Sequence, residues 1–279
     1  MVPAQVDPIS FQRNIILGLL LALAAAAWAV LVWQGASADM DMAMDSPTMG
    51  LRAPLFLAIW VTMMVAMMFP TAAPMIVTFH KVQAGKRQRG EAFVSTWIFV
   101  AAYILVWGLS GLAAYGGALA AETVAAHAAL SPTAAARTGG IVLVAAGIYQ
   151  LTPWKDLCLS KCRTPITFIM TSWRDGAAGA LRMGLLHGAY CLGCCWLLFA
   201  ILFPLGIMNI AAMAVITFVI FAEKTLPWGR TAARAAAVAL IAYGFAVAAA
   251  PQFLPTFHPV HGMGTPMDMQ MDMQMSEPK

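Results

Sequence analysis

Charge is what this sequence has least of. Only 10% of its 279 residues are Asp, Glu, Lys or Arg, against 61% that are hydrophobic. Soluble domains carry about 25% charged residues, so an ordinary soluble enzyme is excluded, and so is a disordered chain. Other absences narrow the reading. No G-x-x-x-x-G-K-[ST] run occurs, so no nucleotide is expected to drive the chain directly. No C-x-x-C-H occurs for covalent haem, and no period of 20–50 residues repeats. The alternating ten-residue segments of a membrane barrel are missing too. No catalytic constellation emerges, and enzymatic activity is not expected.

What is present is apolar residues in blocks of bilayer length. Seven blocks run from about 15–34, 54–79, 93–120, 135–153, 177–203, 206–223 and 232–250, and a span needs roughly 20 apolar residues. Backbone polar groups cannot go unpaired in lipid, so each block is expected to be helical. The expectation is an all-α, polytopic bundle of about seven transmembrane helices. It divides into a first anchor at 1–34, a Met/Asp-rich loop at 35–53, the bundle at 54–250 and a Met-rich tail at 251–279. Two readings of the first block stay open. Arg13, an apolar stretch and Ala36-Ser37-Ala38 resemble a cleavable signal peptide. The 19 residues from Ile15 to Trp33 exceed the usual 7–15 and favour a retained anchor.

Basic residues set the expected orientation. Assigning loops alternately to two sides puts 13 of the 16 Lys and Arg on one side, leaving Arg52, Arg137 and Lys279 on the other. The positive-inside rule makes the rich side cytoplasmic, with the N-terminus inside and the C-terminus periplasmic. The net charge of +4 therefore reports topology. No nucleic-acid partner is expected; the expected location is the bacterial inner membrane, with the lipid bilayer as solvent.

Methionine is over-represented, with 20 residues, twelve of them outside the blocks. Met40, Met42, Met44 and Met49 lie in or near DMDMAMD. Met263, Met267, Met269, Met271, Met273 and Met275 lie in HGMGTPMDMQMDMQM. Both segments fall on the expected outer face, and polar residues alternate with Met, so neither builds a core stripe. Thioethers are soft ligands that suit Cu(I). Asp39, Asp41, Asp45, Asp268 and Asp272 add charge that attracts cations, and His258 and His261 could extend the range to Cu(II). Thiolate and imidazole also suit zinc, but thioethers add little to a zinc site, so zinc is the lesser expectation.

All five cysteines fall on the other side or within the blocks, where a reducing compartment would keep them as thiols. The run RMGLLHGAYCLGCCW carries the sharpest constellation. His187 and Cys191 are four apart, Cys194 and Cys195 follow at three and four, and Met183 lies one turn before. On a helix these share one face and supply an imidazole and two or three thiols to a soft metal. The plain alternative is helix packing, for which Cys is small enough.

A second sulfur run, WVTMMVAMMFPTAAPM, pairs Met63 with Met67 and Met64 with Met68, with Met75 beyond. Met fills gaps in cores, so packing is the default for this run alone. At 1.5 Å per residue Met63–Met68 and Cys191–Cys195 both fall roughly 12–20 Å into a core about 30 Å thick. A shared midplane site is therefore expected. Cys158 and Cys162, in CLSKC, are expected in a basic cytoplasmic loop, as a docking pair or as two unligated thiols. Asn209 and Glu223, with Lys224, are polar groups in or at the end of the sixth block, marking function, helix pairing or interfacial anchoring.

The runs AMMFPTAAPM, CLSKCRTPITF and GLLHGAYCLGCCW, with GIMN and EKTLPWG, resemble a bacterial family described as predicted metal-binding integral membrane proteins, a domain of unknown function. The resemblance spans roughly 58–228 and is most specific in CxGCCW and EK. It implies a polytopic helical fold and a metal role for the sulfur positions, and names no substrate. The Met-rich loop and tail lie outside it, so copper rests on thioether chemistry. The functional expectation is Cu(I) capture outside by Met and transport or delivery through a Met/Cys/His site, with a metallochaperone or cuproprotein as partner. An assembly or sensing factor without flux, and a thiol-disulfide redox protein, are the alternatives.

Overall fold

The computed structural model describes residues 8–37 and 46–257, and these are helical with no strand among them. The helices are α1 (Pro8–Ser37), α2 (Ala53–Gln88), α3 (Thr96–His127), α4 (Pro132–Tyr149), α5 (Pro153–Arg163), α6 (Pro165–Ser172), α7 (Gly176–Ala200), α8 (Leu202–Leu205), α9 (Ile210–Thr225) and α10 (Gly229–Ala249). Four starts are set by local chemistry. The side chains of Ser95, Ser131, Thr152 and Asn209 each accept from a backbone N–H of the following turn, satisfying donors that a helix leaves free.

Five helical stretches are long and apolar enough to cross a membrane: Ser10–Ala36, Ala53–Gln88, Thr96–His127, Gly176–Leu205 and Gly229–Ala249. A sixth exists if α4 and α5 count as one span, although they meet at 63°. The bend follows from Pro153, which lacks an N–H and disfavours helical backbone at Thr152. The sixth expected block is shorter than anticipated. Gly206, at φ +93°, and the Asn209 cap start α9 late, leaving 16 residues. Sixteen residues rise about 24 Å. Large apolar side chains such as Leu105, Ile141, Phe218, Val238 and Phe245 stand exposed, as befits a surface solvated by acyl chains.

The interior is assembled by close helix contacts. Leu20, Ala24, Ala27 and Leu31 form the buried stripe of α1. Beside it the Trp28 indole donates to the Ala66 carbonyl of α2 at 3.1 Å. Pro70 lies four residues on and has no N–H to offer that carbonyl. Helix α7 seats on α3 through two glycines. A Cβ at Gly184 would lie 2.4 Å from the Phe99 carbonyl oxygen, and one at Gly188 would lie 2.9 Å from Val106. Gly140 of α4 and Gly244 of α10 meet backbone to backbone in the same way. Small residues at such crossings let packing replace the hydrophobic drive that lipid does not provide.

Two basic residues counted toward orientation are not at a surface. Lys155 is 1% exposed and Lys224 7%. CLSKC is not a loop either; it supplies five of the eleven residues of α5, which folds back against α7.

Adding a methyl at Gly184 forces backbone apart, so Gly184→Ala is expected to destabilise by about 1–3 kcal/mol. Gly116 has open space around the same position, and Gly116→Ala is expected to be neutral or to stabilise by up to about 1 kcal/mol. Thermal unfolding in one detergent compares the two; equal shifts would contradict the packing account.

Candidate metal centre

The close seat of α7 on α3 brings His187 against aromatic rings. Its imidazole stacks on Tyr103 (centroids 5.5 Å, 24°) and on Phe99 (5.9 Å, 25°), with Phe168 of α6 tilted at 5.7 Å. The side chain is buried, and neither Nδ1 nor Nε2 has a hydrogen-bond partner. A neutral imidazole carries one donor and one acceptor. Leaving both unmet in a buried site is unusual, and marks a position for a ligand or water.

One turn further along, three thiols are buried together. Cys191, Cys194 and Cys195 are each 1% exposed. Cys194 Sγ lies 3.1 Å from the Cys191 carbonyl oxygen and 3.2 Å from Cys195 Sγ. Helix α5 supplies a fourth: the Cys162 thiol interacts with those of Cys191 and Cys194. All five cysteines of the chain are free thiols. Two polar side chains from other helices converge on Cys191. Tyr103 Oη of α3 is 3.1 Å from its Sγ, and the Lys224 ammonium of α9 donates to that Sγ at 2.9 Å. An ammonium so close favours negative charge on the sulfur.

The neighbouring residue has a different partner. Glu223, fully buried, accepts from Lys155 Nζ at 2.6 Å and from Gln150 Nε2 at 2.8 Å. Arg163 donates to the carbonyls of Glu223 and Leu226, both at 2.8 Å, covering the C-terminal end of α9. Lys155 and Arg163 lie at the two ends of α5, so the charges of α9 hold in place the helix that carries Cys162. At the other rim of α7, Lys86 pairs with Asp175. That hydrogen bond holds the exposed Asp175 carboxyl below its ordinary range.

The remaining expected residues fall as follows. Met63, Met64, Met67 and Met68 are fully buried and belong to the same core as the thiols, as do Met75, Met183 and Met213. Helices α2 and α7 meet through Trp60 and Phe199, with centroids 6.4 Å apart. Cys158 is half-buried against α7, where a Cβ at Gly193 would stand 2.9 Å from its Sγ. Asn209 caps α9, accepting from the Ala212 N–H and donating to the Leu205 carbonyl. Among the described residues, no three His, Cys, Asp or Glu side chains converge as a ready ligand set. The sulfurs are engaged with one another and with Lys224 and Tyr103, so a metal would have to displace those contacts.

Met40, Met42, Met44, Met267, Met269, Met271, Met273 and Met275, with His258 and His261, lie outside the described residues. The described residues that adjoin the two Met-rich segments, Ser46 and Phe257, line one cleft of about 660 Å³. Glu122 lines it too, accepting from Ser46 Oγ, from Thr48 N–H at 2.8 Å and from Thr48 Oγ1 at 2.7 Å.

Two participants escaped the sequence reading. Tyr103 carries no motif and Lys155 reads as a loop charge, while Lys224 is legible only as function, helix pairing or interfacial anchoring. The available signal was EK at the end of an apolar block, where two opposite charges need separate buried partners if the end is not at a surface.

Helices long and apolar enough to cross a membrane, packed around a group of thiols, define an all-helical protein compatible with a membrane. A family model described as "PpoB2, copper chaperone" matches residues 57–247, more than two thirds of the chain. The chain belongs to that family. No curated protein and no solved structure matches it. The matched stretch contains every described donor named above, from Met63 to Lys224.

Removing one partner of the Lys155–Glu223 pair leaves the other charge buried alone, which costs roughly 3–5 kcal/mol. Lys155→Met and Glu223→Met are each expected to destabilise by that order, while the double variant loses less than their sum. A double-mutant cycle by thermal or denaturant unfolding reads the coupling; additive losses would show that the two charges do not depend on each other.

Proposed function

We propose that this protein is a membrane-embedded copper carrier, not an enzyme. It takes Cu(I) onto its intramembrane thiols and delivers or transports it onward. One observation carries the reading: the half-buried Cys162 of α5 meets the buried Cys191 and Cys194 of α7, beside Cys195, with an ammonium 2.9 Å from Cys191. Structural cysteines do not require a buried lysine beside them, because an unpaired ammonium away from water is costly. A metal-binding thiolate does gain from it. His187, buried with both ring nitrogens unpartnered one turn away, completes a donor set of thiols and imidazole.

Cu(I) is the proposed cargo because membership of a copper chaperone family agrees with the chemistry of the Met-rich segments. Those segments act as capture arms on the periplasmic side. The cleft shared by Ser46 and Phe257 supports a common docking point for them. The buried methionines of α2 provide a thioether path toward the thiols. The proposed topology is seven spans in the inner membrane, with the N-terminus cytoplasmic. Setting aside buried Lys155 and Lys224 still leaves the basic residues strongly to one side. The proposed partner is a metallochaperone or cuproprotein that accepts the metal.

A second reading has one observation behind it. Cys194 and Cys195 sulfurs sit 3.2 Å apart, close enough to suggest thiol-disulfide chemistry.

Metal content by mass spectrometry, on protein from copper-supplemented cells, tests the proposal. Wild type is expected to hold about one or more copper per chain. The triple variant Cys191→Ser, Cys194→Ser, Cys195→Ser should lose the buried fraction, and truncation after His261 should lose the tail fraction only. Copper lost with the tail alone would demote the thiol cluster to packing. A protein without copper whose thiols are recovered oxidised would replace the carrier reading with the redox one. Metal flux in sealed vesicles separates transport from hand-off.

A further inference from the structure

Lys224 has no carboxylate. Its helical neighbour Glu223 is committed to Lys155 and Gln150. Among the described residues the only ion pairs are Lys86–Asp175, Arg89–Glu91 and Lys155–Glu223. The ammonium is 7% exposed and donates to Cys191 Sγ. Cys194, Cys195 and Cys162 also act on it, as do Tyr103 and His187. Lys155 is spent on Glu223, and Arg163 on the carbonyls at the end of α9, whose partial negative charge it complements. A positive charge therefore sits within the thiol cluster, and among the described residues no carboxylate is paired with it.

Resting on the copper-carrier reading, we propose that Lys224 selects the charge of the metal: it makes the thiol cluster a site for a monovalent soft cation and disfavours divalent ones. The argument is charge arithmetic in a medium that tolerates no net charge. Cu(I) held by two thiolates carries −1, and the ammonium brings the site to zero. Zn(II) on the same two thiolates is already neutral, so the ammonium leaves +1. A divalent ion can recover neutrality by drawing a third thiol out of its hydrogen bonds as thiolate, or by driving the proton off Lys224, and either step costs affinity. Binding moves no electrons; each new metal–sulfur bond releases to solvent the proton that sulfur carried, if any. Without Lys224 the preference reverses, since the two-thiolate Cu(I) site becomes −1 and the two-thiolate Zn(II) site becomes neutral.

The test uses the full chain in lipid nanodiscs, with metal affinities from chelator competition. Two isoelectronic pairs are compared, Cu(I) with Zn(II) and Ag(I) with Cd(II), so that charge changes while electron count is held. In Lys224→Met the Cu(I)-to-Zn(II) and Ag(I)-to-Cd(II) affinity ratios should both fall by about tenfold or more, as loss of a unit charge a few ångströms away implies. Lys224→Arg, which keeps the charge, should hold both ratios within about threefold of wild type. Should Lys224→Met fail to fold, Lys224→Gln removes the charge while keeping a donor for Cys191, and carries the same expectation. Ratios that do not move in the neutral variant overturn the proposal. So does a shift confined to copper and zinc, or an equal fall in Lys224→Arg. In each of those cases wild type still binds Cu(I), and the copper reading stands. Wild type that binds neither Cu(I) nor Ag(I) overturns the copper reading instead, and this inference with it.

Discussion

Glu223 and Lys224 are consecutive, opposite in charge and both buried, and each survives burial through a partner from elsewhere in the chain. A lone charge in a low-dielectric interior is too costly to keep. The fold must therefore bring Lys155 to one and the thiol group to the other. The second is met by Cys191 of α7, and the first falls on α5. Its first turn carries Lys155, its last carries Cys162 and Arg163, and its 63° bend from α4 lays it against α7 and α9. The end of α9 thus anchors the helix that supplies the fourth thiol.

The rest of the bundle permits this by approaching closely where it must. Gly184 and Gly188 set α7 against α3 near enough for Tyr103 to reach Cys191 and stack on His187. Larger residues there would hold the helices apart and remove the aromatic wall from the imidazole. The wall excludes other polar partners, which is why the imidazole nitrogens stand without hydrogen bonds. Soft donors kept dry, with a charge already in place, suit binding by exchange of sulfur contacts more than a rigid preformed cage.

Much of this was legible in the residues. Low charge, long apolar blocks and proline at block ends predict helices suited to a membrane, and five, or six with the bent pair, are found. The heptapeptide from His187 to Gly193 and the two cysteines after it predict a shared face, and His187 with Cys191, Cys194 and Cys195 is buried on one helix. Their burial follows from helical spacing, which is local. Less legible was everything that depends on a non-local partner. CLSKC reads as a basic loop because Lys155, Lys161 and Arg163 cluster in and around it; pairing Lys155 with Glu223 and Arg163 with the end of α9 packs it as a helix. EKTLPWG leaves function, helix pairing and interfacial anchoring all open, because the partners of Glu223 and Lys224 are not its neighbours in sequence. The sixth block reads as a span by composition, but Gly206 and the Asn209 cap shorten it.

The sequence by itself determined which atoms are available: sulfur in place of oxygen, apolar helices in place of a soluble core, and a histidine one turn from three cysteines. Helical periodicity and thioether chemistry need nothing beyond neighbouring residues. Only the tertiary structure decided that Cys162 joins Cys191 and Cys194, that Glu223 and Lys224 part company toward different partners, and that a lysine stands inside a thiol cluster. Those outcomes are set by the cost of burying charge, and that cost can be met only by groups that folding brings from distant parts of the chain.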